Sequence, residues 1–330
     1  MGKAKRMLKT KLILLTSILL SSFFLVSCGQ ANQNGKIKKV GLLVEGTVSD
    51  QMVGTKGYKG LLMIQSTYNI DVYYKEEITS EAIIERAVKE FKNKGINLII
   101  GNGQLFADYF NEISSKYPSI HFVSFNGQAT NSNTTSIVLE GYACGYFAGM
   151  VAGHMTTTNT VASLSTLESQ SAEVQGFHDG AKHENSRVKV ITTNVPDKNN
   201  QEEVLHLLDK QLEQKADVIY AAENNYNIAV IERLKEKGLY AIGYMSEQST
   251  LGEFTVLTST IQYLPEIYAK IAKDFNEGKL LPGNIHVSMK DEFISLGKFS
   301  PKIDKAFKHR IYKEMDHYKK TGELPKKKAK

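Results

Sequence analysis

Tryptophan is absent from the 330 residues, and cysteine occurs only at Cys28 and Cys144. Without Trp, any aromatic contact to a ligand has to come from Tyr or Phe. With Cys28 assigned to a lipid anchor, as argued below, no intramolecular disulfide remains to staple the chain. Cys144 lies in an apolar, Gly-rich stretch and reads as a small core residue, not a nucleophile. The body is also short of net charge. Much of the formal +6 sits at the two ends, in a basic leader and in a C-terminal stretch from Lys298 that finishes Leu324-Pro325-Lys326-Lys327-Lys328-Ala329-Lys330. That tail reads either as a solvated, frayed end or as a contact for anionic lipid or wall polymer.

Catalytic signatures are missing too. Gly101-Asn102-Gly103 follows an apolar run, but Phe106 stands where a dinucleotide fingerprint needs its third glycine, and no Walker sequence occurs. No Gly-x-Ser-x-Gly elbow supplies a serine nucleophile. His178 and His183 fall five apart on one expected helix, so their rings face different ways and do not form a metal pair. No catalytic residue, metal or cofactor is implied. Hydrophobic content of 42% and charged content of 23% are those of an ordinary globular chain.

What is present begins with an export signal. Residues 1–11 carry Lys3, Lys5, Arg6, Lys9 and Lys11 with no acid, and residues 12–26 form an apolar run. That run is short of the ~20 residues a spanning helix needs. It ends in Leu25-Val26-Ser27-Cys28, which resembles a bacterial lipobox, and the lipidation of Cys28 that this implies tethers the mature chain to the membrane on its extracytoplasmic face. Residues 29–36 read as a polar tether.

From residue 37 the chain alternates short apolar runs with amphipathic segments. Strands are expected at 40–44, 70–74, 96–100, 120–125 and 137–139, with helices at 55–68, 80–94, 105–116 and 141–154. Ser80 is the expected N-cap and Gly95 the expected stop of the second helix. A second series follows, with strands at 161–164, 188–192, 217–221 and 240–243 and helices at 172–183, 201–215 and 226–237. The tail end adds extended segments at 257–261, 285–289 and 293–296 and helices at 265–276 and 301–318. Strand-helix alternation implies right-handed βαβ units, and two series imply two doubly wound α/β lobes. The last elements are too few for a third domain, so the chain is expected to recross and complete both sheets.

In such sheets ligands bind beyond the carboxyl ends of the strands. The loops there, at 45–52, 101–104, 126–131, 165–171, 223–227 and 244–249, are rich in Asn, Gln, Ser, Glu and Asp, with Tyr226 and Tyr244 as flat surfaces. The mix suits a small polar, ring-bearing molecule. Tyr226 is either a stacking surface or the first buried residue of its helix.

Val40-Gly41-Leu42-Leu43-Val44 followed by Asp50, then Gly57-Tyr58-Lys59-Gly60, Glu140-Gly141-Tyr142-Ala143, Gly176-Phe177 with Gly180-Ala181, Ala216-Asp217-Val218-Ile219-Tyr220 and Ile242-Gly243 with Gln248-Ser249 resemble the basic membrane protein family. These are lipoprotein solute receptors of ABC importers. Asp50-Gln51, Gly54-Thr55-Lys56-Gly57-Tyr58-Lys59-Gly60 and Tyr73-Tyr74-Lys75-Glu76 carry a narrower likeness to the Med-like branch, named for a positive regulator of competence genes. The resemblance implies a type I periplasmic binding protein: two Rossmann-like lobes, a three-crossover hinge and a ligand between them. The implied layout puts lobe 1 at 37–137 and 259–286, lobe 2 at 138–258 and 287–318, and a basic tail at 319–330. The implied partners are a small-molecule ligand, an ABC permease and the membrane. No helix-turn-helix precedes Val40, so nucleic acid is not a partner.

By that resemblance Asp50, Asn102, Asn225 and Tyr226 are candidate ligand-binding residues. Met245, Glu247, Gln248 and Gln262 join them. Departures are concentrated at the same places. Purine nucleoside receptors of the family have Asp-x-Ser-Phe-Asn where this chain has Asp50-Gln51-Met52-Val53-Gly54, so the stacking Phe is replaced by Val53. They carry an Asp where Met245 stands and a Lys where Gln262 stands. Losing both charged groups predicts weak binding of purine nucleosides or none.

Overall fold

A computed structural model describes residues 35–49, 53–103, 105–166 and 172–325. Cys28, the leader, Asp50 and the last five residues lie outside them.

The first apolar run is β1 (Val40–Val44), buried at every position. It is followed by α1 (Val53–Tyr68), β2 (Val72–Lys75), α2 (Glu81–Asn93), β3 (Leu98–Asn102), α3 (Leu105–Ile113), β4 (His121–Phe125) and β5 (Thr134–Leu139). Ser80 does occupy the N-cap of α2 in extended conformation, but its side chain makes no capping bond. Gly95, with φ of 77°, ends that helix in the left-handed region. The strands pair in parallel in the order β11-β5-β4-β3-β1-β2, where β11 (Gly283–Val287) comes from far along the chain.

The second sheet is built from β6 (Thr160–Ser165), β7 (Lys189–Asn194), β8 (Val218–Ala221), β9 (Tyr240–Gly243), β10 (Val256–Gln262) and β12 (Ile294–Leu296). Its order is β12-β10-β9-β8-β6-β7, parallel except for β12, which runs antiparallel to β10. Packed around it are α4 (Tyr142–Met155), α5 (Ala172–Glu184), α6 (Gln201–Glu213), α7 (Asn227–Glu236) and the terminal α9 (Lys305–Thr321). The remaining helix, α8 (Leu264–Asn276), packs on α1 and joins the apolar cluster beneath the first sheet. Apolar clusters lie on both faces of each sheet, as parallel strands require.

The chain thus crosses between lobes three times: after β5, after β10 and after β11. The second crossing lies beyond β10, which a boundary at 258 would cut. Every residue of β10 is buried, and its flanks pair with β9 and β12, so the whole strand stays in lobe 2 and the crossing comes at Tyr263.

One packing contact is unusually close. Gly145, Gly149 and Gly153 of α4 lie against the backbone of Glu173, Phe177 and Ala181 in α5, while Gly176 and Gly180 of α5 lie against that of Tyr142 and Tyr146 in α4; a Cβ at Gly149 would sit 2.0 Å from the Phe177 carbonyl oxygen. Backbone touches backbone there, which is why α4 is buried nearly all round.

Candidate functional site

The carboxyl ends of both sheets open onto one cavity of about 920 Å³ between the lobes. Ligand pockets commonly span about 300–1,000 Å³. Lobe 1 contributes Glu45 after β1, Val53 at the start of α1, Asn102 and Gly103 at the end of β3, and Phe125 and Asn126 at the end of β4. Lobe 2 contributes Lys198, then Glu223, Asn224 and Asn225 after β8, and Tyr244 and Met245 after β9. Gln262 and Leu264 flank the second crossing.

Sharp turns place these groups. Asn126 and Met245 both have positive φ, 55° and 58°, so the chain reverses where each strand ends and presents the next residues to the cavity. Asn126 Oδ1 accepts from Leu139 N at 3.0 Å, tying the end of β4 to the first crossing. At Gly103 a Cβ would lie 2.3 Å from Glu45 Oε1, so the missing side chain lets the Glu45 carboxylate lie against the β3 terminus.

Four candidates from the sequence line this cavity: Asn102, Asn225, Met245 and Gln262. Asn102 Nδ2 donates to Val53 O at 3.2 Å, and Asn225 Nδ2 to Asn199 Oδ1 at 2.7 Å. Val53, Met245 and Gln262, the three departures from the nucleoside receptors, all face the same space.

Three candidates are placed elsewhere. Tyr226 is the N-cap residue of α7 and is 1% exposed, its ring in the lobe 2 core and its hydroxyl without a partner. Gln248 is a brace: its Oε1 accepts from Tyr244 N at 2.8 Å, and its Nε2 donates to Asn227 Oδ1 at 3.2 Å. Glu247 faces a separate groove and accepts from the backbone N–H groups of Ser249 and Lys298.

Lys198 was not among the candidates, although the loop after β7 is also a strand-end loop. Lys56 was missed as well. Its amine, on α1, donates to the carbonyls of Met245 and Gln262 in lobe 2. Burial lowers its pKa to about 8, against the opposing pull of Glu266. Below the lobe 2 wall, Tyr220 donates to the buried Glu173 at 2.6 Å, and burial raises that carboxyl above its usual range.

Among the described residues no helix is long and apolar enough to cross a membrane, and no group of three or more potential ligands could hold a metal.

A family model described as ABC transporter substrate-binding protein PnrA-like (Bmp) matches residues 37–328. The chain is 44% identical over 317 residues to the transcriptional activator protein Med of Bacillus subtilis (strain 168), covering 96% of this chain and 99% of that one. It is 24% identical over 259 residues to basic membrane protein A of Borreliella burgdorferi, 76% of this chain and 75% of the relative. Among solved structures, a transcriptional activator of the comK gene from Bacillus halodurans gives a TM-score of 0.82 at 39% identity, covering 87% of this chain and all of that one. A solute-binding protein of an ABC transporter system from Aeropyrum pernix K1 gives 0.67 at 16% identity over 88% of this chain and 82% of its own, a likeness of fold alone. The fold is that of a type I periplasmic binding protein, and the chain belongs to the Bmp family of PnrA-like ABC transporter substrate-binding proteins.

Proposed function

We propose that the protein is a lipid-anchored, extracytoplasmic binding protein whose two lobes close on a small polar molecule. The observation that carries this is the cavity of about 920 Å³ between the two sets of strand ends, with polar groups supplied from both lobes. A ligand touching both walls gains contacts only when the lobes approach, so it shifts the population toward the closed form. The anchor is the acylated Cys28 implied by the leader. Delivery to an ABC permease is the output the family suggests.

Purine nucleosides are expected to bind poorly, because Val53, Met245 and Gln262 line the cavity where the nucleoside receptors carry Phe, Asp and Lys. Each lost charge-assisted hydrogen bond costs about 1.5–3 kcal/mol. A thermal-shift screen of polar metabolites, followed by calorimetry with adenosine, guanosine and inosine, tests the reading. Binding of some polar metabolite without submicromolar nucleoside binding is the expected pattern. Failure of every metabolite to shift the melting temperature would count against a ligand cleft.

A second output has its own support. Identity of 44% to the Med activator, over nearly the full length of both chains, favours a regulatory role over import. An exported chain has no access to DNA, so any effect on transcription passes through other proteins. A deletion strain separates the two: loss of ligand uptake marks an importer, and altered competence-gene transcription with intact uptake marks a regulator.

A further inference from the structure

We infer that the exposed face of α9, with the loops beside it, docks on an anionic lipid surface. This goes beyond the ligand cleft and rests on the lipid-anchored placement proposed above. α9 buries Phe307, Ile311 and Met315 in lobe 2. Its other side turns outward, with Lys305, His309, Tyr312, Lys313, Asp316 and Lys320 exposed. Ring contacts join the neighbouring loops to this side in one patch. The Phe299 and Tyr312 rings meet edge to face with centroids 5.0 Å apart, and the Lys302 amine lies 5.7 Å from the Phe254 ring centroid.

Charge calls for an anionic partner. Among the described residues, Lys298, Lys302, Lys305, Lys308, Lys313 and Lys320 have no carboxylate partner, whereas Arg310 and Lys319 do. Two acids of the same stretch are engaged: Asp304 caps α9 and meets His154, and Glu314 meets Arg310. From residue 298 onward there are 12 Lys and Arg against 4 acids, while residues 29–297 carry 31 acids against 24 Lys and Arg. A basic face on an otherwise acidic body is drawn to a negative surface while the rest is repelled, so the molecule is oriented as well as held.

The aromatic rings select a bilayer over a soluble polyanion. Phe254 is 53% exposed and Tyr312 49%. At a membrane such rings settle among the headgroups and leave water, which a polyanion does not offer. The anchor supplies proximity. A chain spans at most about 3.5 Å per residue, so residues 29–36 keep Ile37 within roughly 30 Å of an acylated Cys28. Two attachments to one bilayer reinforce each other through their effective concentration.

The test is flotation of the mature chain, residues 29–330, which keeps every described residue and carries no acyl group. Its result is therefore independent of the anchor, which mass spectrometry of Cys28 tests separately. The chain should float with vesicles of equimolar phosphatidylcholine and phosphatidylglycerol and stay behind with phosphatidylcholine alone. Combining Lys305→Glu, Lys308→Glu and Lys313→Glu should weaken partitioning about tenfold or more, and raised salt should weaken it too. Phe254→Ser with Tyr312→Ser should weaken it about threefold or more, which a purely electrostatic contact would not show. A chain ending at Pro325 should still float. No flotation with anionic vesicles, flotation that the lysine variant leaves unchanged, or loss of all binding on removing residues 326–330 would overturn the inference. So would soluble polyphosphate that displaces the vesicles and binds the Phe254 and Tyr312 variant equally well, since the partner would then be an anionic polymer. Unchanged thermal unfolding of the variants confirms that lost binding is not lost fold.

Discussion

Leaving a buried hydroxyl without a hydrogen bond costs about 1–3 kcal/mol, and Tyr226 carries such a group in the lobe 2 core. Tyr226→Phe removes the unsatisfied oxygen and keeps the ring, so the variant should be at least as stable as the parent in urea unfolding. A loss of more than about 1 kcal/mol would show a hidden partner for the hydroxyl. The sequence left this residue open between cleft and core, for a physical reason. An N-cap residue belongs to a loop and to a helix at once, and only the rotation of α7 about its axis decides which way the ring turns. Gln248 misleads differently: a polar residue after a strand reads as ligand-facing, but Gly243 has no Cβ and its space is taken by Gln248 Oε1 and Ser259 Oγ. Asn102, Met245 and Gln262 line the cavity because strand ends and a crossing fix their positions.

His121 gives a pH dependence at the same scale. Thr135 Oγ1 donates to Leu281 O at 2.8 Å, so the 2.8 Å contact from His121 Nε2 needs the proton on that nitrogen, donated to the threonine oxygen. Burial lowers the pKa of this histidine to about 4. The unfolded chain, titrating near 6.5, then binds more protons than the folded one between about 4 and 6.5. Stability is full above that window and is lost as pH falls through it, by about 3 kcal/mol in total. Denaturant unfolding from pH 7 to pH 4 should show this slope, and His121→Asn should flatten it. An equal slope in both proteins would place the loss in other groups.

At the scale of elements, the α4–α5 contact separates two opposing effects. Replacing a mid-helix glycine by alanine ordinarily stabilises a helix by roughly 0.5–1 kcal/mol. At Gly149 the added Cβ meets the Phe177 carbonyl oxygen at 2.0 Å and the Ala181 nitrogen at 2.8 Å, both backbone atoms that cannot swing aside. Gly149→Ala should therefore destabilise, by about 3 kcal/mol if the helices are forced apart. Gly252→Ala, whose Cβ would meet its nearest atoms at 3.5 Å, should stay within about 0.5 kcal/mol of the parent. A stabilised Gly149→Ala would mean that the helices are not in backbone contact. The small-residue helix itself was visible in the sequence, but its partner was not, since nothing local says which two faces will meet. The position of the second crossing was hidden for a similar reason. A central strand is held by neighbours distant in sequence, here β9 and β12, and its last residues read equally well as a linker.

At the scale of the whole molecule, the two lobes are joined by the three crossings, by Met245 packed in the lobe 1 apolar cluster, and by Lys56. Its hold on Met245 and Gln262 carbonyls couples α1 of lobe 1 to the cleft wall of lobe 2. The central claim is that one ligand engages both lobes in the intervening cavity. Hydrogen–deuterium exchange, with and without the tightest-binding metabolite from the thermal-shift screen, tests it most directly. The account requires protection to appear together at the ends of β3 and β4, around Gly103 and Asn126, and after β8 and β9, around Asn224 and Met245. Protection confined to one lobe, or appearing away from these strand ends, would contradict it.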